Sequence, residues 1–254
     1  MSQGFDLKGS YYSYINKDTI PSVFIHGVGL DHQMWKPQIN SLNEFSTLTY
    51  DLLGHGNSEL KNDEVTLNDF SNQLKSLLDF LNIKKINLIG FSLGSLIAID
   101  FTLKFKEYLD TLTLMGTTYQ RTDEERSKVL DRFEQAKLNK PISRQALKRW
   151  FSDKYLDDNP EIYSEFMNIL NKEPKDHDNF LKAYKLFANH RDDIGSIKKI
   201  ETKTLIMTGS DDLGSTVSMS KSLSKDLVNS KFVEVKNGKH LCSIECADDV
   251  NINL

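Results

Sequence analysis

The stretch INLIGFSLGSLIAI, residues 86–99, decides how this chain reads. Ile86–Ile89 is a short apolar run of the strand type. Leu93–Phe105 continues as an apolar segment long enough for a helix. Gly90-Phe91-Ser92-Leu93-Gly94 joins them, a G-x-S-x-G between a strand and a helix. That placement is the context of a nucleophile elbow. The turn is so sharp that side chains at the two glycine positions would strike neighbouring backbone. It also sets Ser92 at a helix N-terminus, where free N–H groups and the helix dipole favour a developing anion.

Outward from this point, strand-like runs alternate with helical ones. Val23–His26, Thr47–Asp51, Ile86–Gly90, Thr111–Met115, Lys203–Thr208 and Lys231–Val235 lack clean polar alternation, as strands buried on both faces do. Leu67–Leu81, Leu93–Phe105 and Ser215–Asp226 read as helices. In the first, Leu67, Phe70, Leu74, Leu77, Leu78 and Leu81 recur at helical spacing. The order predicts a mostly parallel sheet flanked by helices, an α/β fold. Residues 117–194 break the rhythm. Their charged, helix-forming segments, Asp123–Leu138, Ser143–Ser152, Glu161–Leu170 and Asp178–Asn189, are punctuated by Pro141, Pro160 and Pro174, with Ser143 and Asn159 as candidate N-caps. We expect a helical cap inserted into a core made of residues 1–116 and 195–254.

Composition narrows the function. In 254 residues, 32 Lys and Arg face 36 Asp and Glu, for a net charge of −4. No long basic run is present, which argues against nucleic-acid or anionic-membrane partners. Two cysteines, Cys242 and Cys246, exclude a disulfide framework and a Cys-rich zinc site. If their segment is helical they share a face as small buried side chains. Met1–Gly9 has no charged-then-apolar leader pattern, and no apolar run approaches the ~20 residues of a membrane span. A cytoplasmic monomer or homodimer is the expectation.

A serine nucleophile needs a base, and the base an acid. Thr204–Thr208 ends in Gly209-Ser210-Asp211-Asp212, so two carboxylates stand at a strand's C-terminal end, where ligands of open α/β sheets gather. Phe232–Val235 is followed by Asn237-Gly238-Lys239-His240. His240 sits on a loop after the last strand, whereas His177 and His190 fall in the insertion. Of the acids, Asp211 could point to solvent or cap the next helix, and Asp212 could serve the histidine. His26-Gly27-Val28-Gly29-Leu30-Asp31 follows an early strand. Acyl transfer needs two N–H donors aimed at an oxyanion. Leu93 N–H and Val28 N–H are the candidates, with His26 a structural residue beneath the loop. Asp51-Leu52-Leu53-Gly54-His55-Gly56-Asn57-Ser58 reads as a scaffolding turn.

These pieces together resemble the α/β-hydrolase superfamily across nearly the whole chain: HGVGLD (26–31), DLLGHGNS (51–58), GFSLGS (90–95), GSDD (209–212) and GKH (238–240). More narrowly, HGVGLDHQMW (26–35), ALKRWF (146–151) and HLCSIE (240–245) are similar to the 3-oxoadipate enol-lactonase-like branch, alongside carboxylesterases. The Pro common shortly after the acid in that family is absent here, and the C-terminal helix is short. The resemblance implies a catalytic Ser92, Asp212 and His240, with Asp212 rather than Asp211 as the acid. It implies cleavage of a small carboxylic ester or lactone through an acyl-enzyme, without metal or organic cofactor; the other histidines look too scattered for a ligand set. Alternatives that keep the same body are a C–C bond hydrolase, an acyltransferase, or a ligand-binding receptor with slow turnover.

The aromatic residues Trp150, Phe151, Tyr155, Phe166, Tyr184 and Phe187 are expected to form the cap's own core. A minority, Trp150 first, should face the substrate, while Trp35 packs under the oxyanion loop. Arg144, Lys148, Arg149 and Lys154 read as a solvated face, with attraction of a substrate carboxylate as the second reading.

Overall fold

A computed structural model describes residues 1–138, 147–171 and 174–254. Its eight strands are β1 Ser2–Phe5, β2 Tyr11–Ile15, β3 Ser22–Ile25, β4 Thr47–Tyr50, β5 Ile86–Phe91, β6 Leu109–Met115, β7 Lys203–Gly209 and β8 Ser230–Val235. They form one sheet in the order β1-β2-β4-β3-β5-β6-β7-β8. From β4 to β8 every pairing is parallel, and β2 runs against both its neighbours. The six expected strands are present within one or two residues of their expected ends. The β1–β2 hairpin was not expected. Its turn is held by Asp6 Oδ1, which accepts from Lys8 N–H at 2.9 Å and Ser10 N–H at 2.8 Å.

The helices are α1 Lys36–Ser41, α2 Leu67–Phe80, α3 Leu93–Lys104, α4 Asp123–Ala136, α5 Asp153–Asp158, α6 Pro160–Leu170, α7 Pro174–Asn189, α8 Ile194–Ile197, α9 Val217–Asp226, α10 Cys242–Glu245 and α11 Ala247–Asn251. Helix α2 starts at a capping box in which Thr66 Oγ1 accepts from Asp69 N–H and Asp69 accepts from Thr66 N–H. Its apolar stripe of Phe70, Leu74, Leu77 and Leu78 is wholly buried. Helix α3 is buried on nearly every side, from Leu93 to Thr102, and packs against β5 and α2.

The sheet is covered on both faces. Along β3, Val23 and Ile25 enter one cluster with Leu74, Leu96 and Ile97. Phe24 enters the other, with Trp35, Met115, Met207 and Leu241. This is why the central strands read as continuous apolar runs. Trp35 packs on Phe24 with ring centroids 5.0 Å apart.

Between β6 and β7 every element among the described residues is helical, α4 to α8. Three details differ from expectation. Helix α5 was not expected; Ser152 caps it, its side chain accepting from Tyr155 N–H. Asn159 occupies the N-cap position of α6 without capping it, its side chain donating instead to Tyr155 O at 2.8 Å. Thr216, rather than Asp211, caps α9. Pro141, Ser143, Arg144 and Ala146 lie outside the described residues, so the expected Ser143–Ser152 helix is described only from Leu147. Among the described residues no helix is long and apolar enough to cross a membrane.

Candidate active site

Strand β5 delivers Ser92 into a sharp turn and α3 leads away from it. Ser92 takes φ +55° and ψ −115°, left-handed backbone that a non-glycine residue adopts only under constraint. The constraint is visible. Ser92 N–H donates to Met115 O at 2.9 Å. Ser95 Oγ donates to Gly90 O at 2.7 Å, tying the two sides of the turn. A Cβ on Gly90 would lie against the Gly94 carbonyl and 2.8 Å from Ser95 Cα. One on Gly94 would meet the Ile25 carbonyl and come within 2.7 Å of His26 O. Both glycines are therefore steric requirements, as their spacing implied.

Two loops at the same end of the sheet converge on this serine. Asp211 N–H donates to Gly238 O at 2.9 Å and Asn237 N–H to Ser210 Oγ at 2.9 Å, binding the turn after β7 to the turn after β8. The result is a chain of side chains. Asp212 Oδ2 lies 2.6 Å from His240 Nδ1, and His240 Nε2 lies 3.3 Å from Ser92 Oγ. Asp212 Oδ1 accepts from Gly214 N–H at 2.8 Å and Ser215 N–H at 2.9 Å. Burial works against the Asp212 carboxylate. The His240 charge and these hydrogen bonds outweigh it and hold the carboxyl below its usual range. An ionised Asp212 accepts the Nδ1 proton and leaves Nε2 free to accept from the serine. The His240 ring rests on Phe91, centroids 4.9 Å apart. Gly116, at φ +55°, makes room for it: a Cβ there would stand 3.3 Å from the ring. Asp211 is exposed and accepts from Ser210 Oγ at 2.9 Å.

Val28 stands on the loop after β3, and Leu93, the residue after Ser92, opens α3. His26 is fully buried below that loop. Its Nε2 accepts Leu52 N–H at 3.0 Å, so Nδ1 carries the proton and donates to Gly27 O at 2.8 Å. This matches the expected structural role. Burial keeps the ring below its ordinary pKa despite Asp51 nearby. The 51–58 turn is held from within, Asp51 Oδ2 accepting from Asn57 N–H at 2.8 Å and Ser58 Oγ donating to Asp51 O at 2.7 Å. One histidine, His32, lies together with two carboxylates, Asp31 and Asp51. Their polar atoms are engaged in locking the loop: Asp31 accepts from Gln33 N–H, and Asp51 from His32 and Asn57.

Ser92, Asp212 and His240 sit in the wall of a cavity of about 780 Å³, with Val28 and Trp150 also in its wall. Trp150 is placed by the histidine loop itself. Leu241 N–H donates to Trp150 O at 3.0 Å and Lys239 Nζ to Lys148 O at 2.7 Å. Of the six aromatic residues assigned to the insertion's core, Trp150, Tyr184 and Phe187 reach the cavity, half rather than a minority. Phe151 stacks on Tyr155 at 5.4 Å and meets Phe166 edge-on at 5.0 Å, as a core does. Arg132 and Phe180 also line the cavity and went unnoticed in the sequence, and His177, set aside there as a residue of the insertion, lines it too. Val129, Arg132, Gln135 and Ala136 share one face of α4, and that spacing was the available signal.

The model of a single protein family, described as alpha/beta hydrolase fold, matches residues 22–246, a span that includes the serine turn, both converging loops and helices α4 to α8. The chain belongs to the alpha/beta hydrolase fold family. Among members of known name, it is similar to an (E)-2-((N-methylformamido)methylene)succinate hydrolase of Acinetobacter baylyi, 27% identical over 91% of this chain and 87% of the relative. It is also similar to 3-oxoadipate enol-lactonase 1 of the same organism, 28% identical over 88% of this chain and 82% of the relative. Among solved structures, a thermophilic esterase from Thermogutta terrifontis superposes with a TM-score of 0.86 at 22% identity, covering 100% of this chain and 96% of that one. At that identity the likeness speaks for the hydrolase fold alone.

Proposed function

We propose that this alpha/beta hydrolase is a serine hydrolase that cleaves a carboxylic ester or lactone of a small acyl substrate through an acyl-enzyme. The observation that carries the reading is the continuous contact Ser92 Oγ–His240 Nε2–Asp212 at the wall of a cavity large enough for a small substrate. Ser92 Oγ attacks the carbonyl carbon while His240 Nε2 takes its proton. The tetrahedral oxyanion is received by the N–H groups of Val28 and Leu93, each worth roughly 10²–10³ in kcat. As the C–O bond breaks, His240 returns the proton to the leaving oxygen. Water then repeats the sequence on the acyl-enzyme and frees the acid. Asp212 holds the ring tautomer and stabilises the imidazolium between these steps. In a lactone the leaving oxygen stays tethered to the acyl group, so the product is one ring-opened hydroxy or keto acid. The enol-lactonase relative supports including lactones. The helices between β6 and β7 act as a cap over the site, with Trp150 against the substrate.

Hydrolysis of p-nitrophenyl esters from acetate to decanoate, with Ser92→Ala in parallel, tests this. Turnover that depends on Ser92 and peaks at short acyl length is expected. Undiminished turnover in Ser92→Ala would sink the assignment.

A further inference from the structure

The stretches ALKRWF (146–151) and HLCSIE (240–245) are far apart in the chain, and the carboxylate of Glu245 joins them. Its Oε1 accepts from Ser152 N–H at 2.9 Å, just past the first stretch. Its Oε2 accepts from Lys239 N–H at 3.3 Å, just before the second. Two more hydrogen bonds link the same segments. Leu241 N–H donates to Trp150 O at 3.0 Å and Lys239 Nζ to Lys148 O at 2.7 Å. Both chain neighbours of His240 are thus tied to residues 147–152 or to the carboxylate that holds them. That segment is itself a closed turn, with Trp150 N–H and Phe151 N–H both donating to Leu147 O.

Asp212 fixes the tautomer of His240, but a shift of the loop would still carry Nε2 away from Ser92 Oγ, 3.3 Å off. On the β8 side the loop is tied to the core, where Gly238 O accepts from Asp211 N–H. Beyond Gly238 the ties of residues 239 and 241 run to the 147–152 segment, and Glu245 makes two of the bonds in that connection. The task suits a carboxylate. Its two oxygens accept from separate backbone N–H groups, and a carboxylate has no donor to oppose either one. A Gln side chain would turn an NH₂ group on one of these donors. The two segments also meet through apolar side chains, since Phe151, Leu241 and Cys242 are buried in one cluster, whereas Glu245 is half-buried. Loss of the carboxylate should therefore loosen the loop without unfolding it.

We propose that Glu245 is a positioning residue for the reaction: by holding the His240 loop to the Trp150 segment, it sets the reach of His240 Nε2 to Ser92. This rests on the reading of Ser92, His240 and Asp212 as the reacting groups. One carboxylate, bonded to the chain beside each of them, then places both the histidine and the Trp150 wall of the cavity.

The test is Glu245→Gln, read by the rate constant for labelling of Ser92 with diisopropyl fluorophosphate well below the Tm of each protein. The rate constant should fall about tenfold or more, and kcat/KM for p-nitrophenyl butyrate by a similar factor. In a His240→Ala background, whose slow labelling no longer passes through the ring, Glu245→Gln should have no further effect. A merely structural role would slow both backgrounds alike. Equal labelling of wild type and Glu245→Gln, or a fall by the same factor in the His240→Ala background, would overturn the proposal. The proton between His240 Nδ1 and Asp212 separates this from the hydrolase reading, because NMR sees it without turnover. Its downfield resonance, identified by its loss in His240→Ala, should be sharp in the wild type and broadened or shifted in Glu245→Gln. That change supports positioning by Glu245 even if Ser92 proves inert. A resonance identical in the two proteins, or none in the wild type, overturns it even if both hydrolyse the ester.

Discussion

Asp51 Oδ1 accepts two hydrogen bonds from one residue, His32: its backbone N–H at 2.8 Å and its ring Nδ1 at 2.7 Å. Asp51 Oδ2 takes Asn57 N–H at 2.8 Å. A single buried carboxylate at the end of β4 thus fastens the loop after β3, which carries Val28, to the turn at 51–58. Asp51→Asn keeps the volume, removes the charge and leaves at least one of these donors unanswered. It should destabilise the protein by on the order of 2 kcal/mol. Ser92-dependent ester hydrolysis should weaken as well. Urea unfolding and steady-state kinetics read both, and unchanged values in both would remove the loop's dependence on Asp51.

The same pair sets a pH window. His32 is pushed down by burial, but the Asp51 hydrogen bond and charge prevail and raise it above 6.5. Asp51 is pushed up by burial, but the His32 hydrogen bond, with help from the Asn57 N–H, holds it below 3.8. The raised His32 contributes fully below its unfolded pKa, and that contribution is lost as pH rises through the folded one. The lowered Asp51 contributes above its unfolded pKa, and that contribution is lost as pH falls through the folded one. The Tm difference between wild type and Asp51→Asn should therefore be greatest in mildly acidic solution and shrink toward both extremes. A difference that grows steadily toward alkaline pH would contradict the pairing.

Gly94 and Gly195 offer a contrast. A Cβ on Gly94 must push into the backbone of Ile25 and His26. Gly94→Ala should cost about 3 kcal/mol or more, with loss of activity, because backbone rather than a side chain has to move. At Gly195 the nearest atom to an added Cβ is 3.5 Å away. Gly195→Ala should leave stability within about 0.5 kcal/mol of wild type or slightly above it. Thermal melts of the two variants decide the matter, and equal effects would refute the steric argument.

Asp212→Asn can still accept from Gly214 and Ser215 through its oxygen while presenting an NH₂ group to His240 Nδ1. The ring would then carry its proton on Nε2 and could not take one from Ser92. The expected loss in kcat is roughly 10³–10⁴ with little change in Tm. A loss below tenfold would show that the tautomer is not held by this carboxylate.

The sheet's centre was readable because β3 to β7 are buried on both faces, which forces apolar runs. The β1–β2 hairpin escaped because Ser2–Phe5 is almost wholly exposed and carries Gly4, so no periodicity marks it. Ser92 and His240 were readable from a turn with few steric solutions and from a loop after the last strand. Asp211 and Asp212 are adjacent on one turn and chemically alike, so the resemblance, not the residues, separated them. The cavity wall was least readable. Arg132 and Phe180 reach it only through the docking of α4 and α7 over the sheet, which no local pattern records. Lys148 and Arg149 are neighbours in the chain, yet one is paired near the surface with Asp153 and the other lines the cavity.

The contact Ser92–His240–Asp212 predicts that Ser92 is an activated nucleophile. A fluorophosphonate probe tests it without knowledge of the substrate. Intact-mass and peptide analysis should find one adduct, on Ser92, in the wild type; no adduct in Ser92→Ala; and much slower labelling in His240→Ala and Asp212→Asn. A folded wild-type protein that stays unlabelled, or one whose labelling persists in Ser92→Ala, would contradict it.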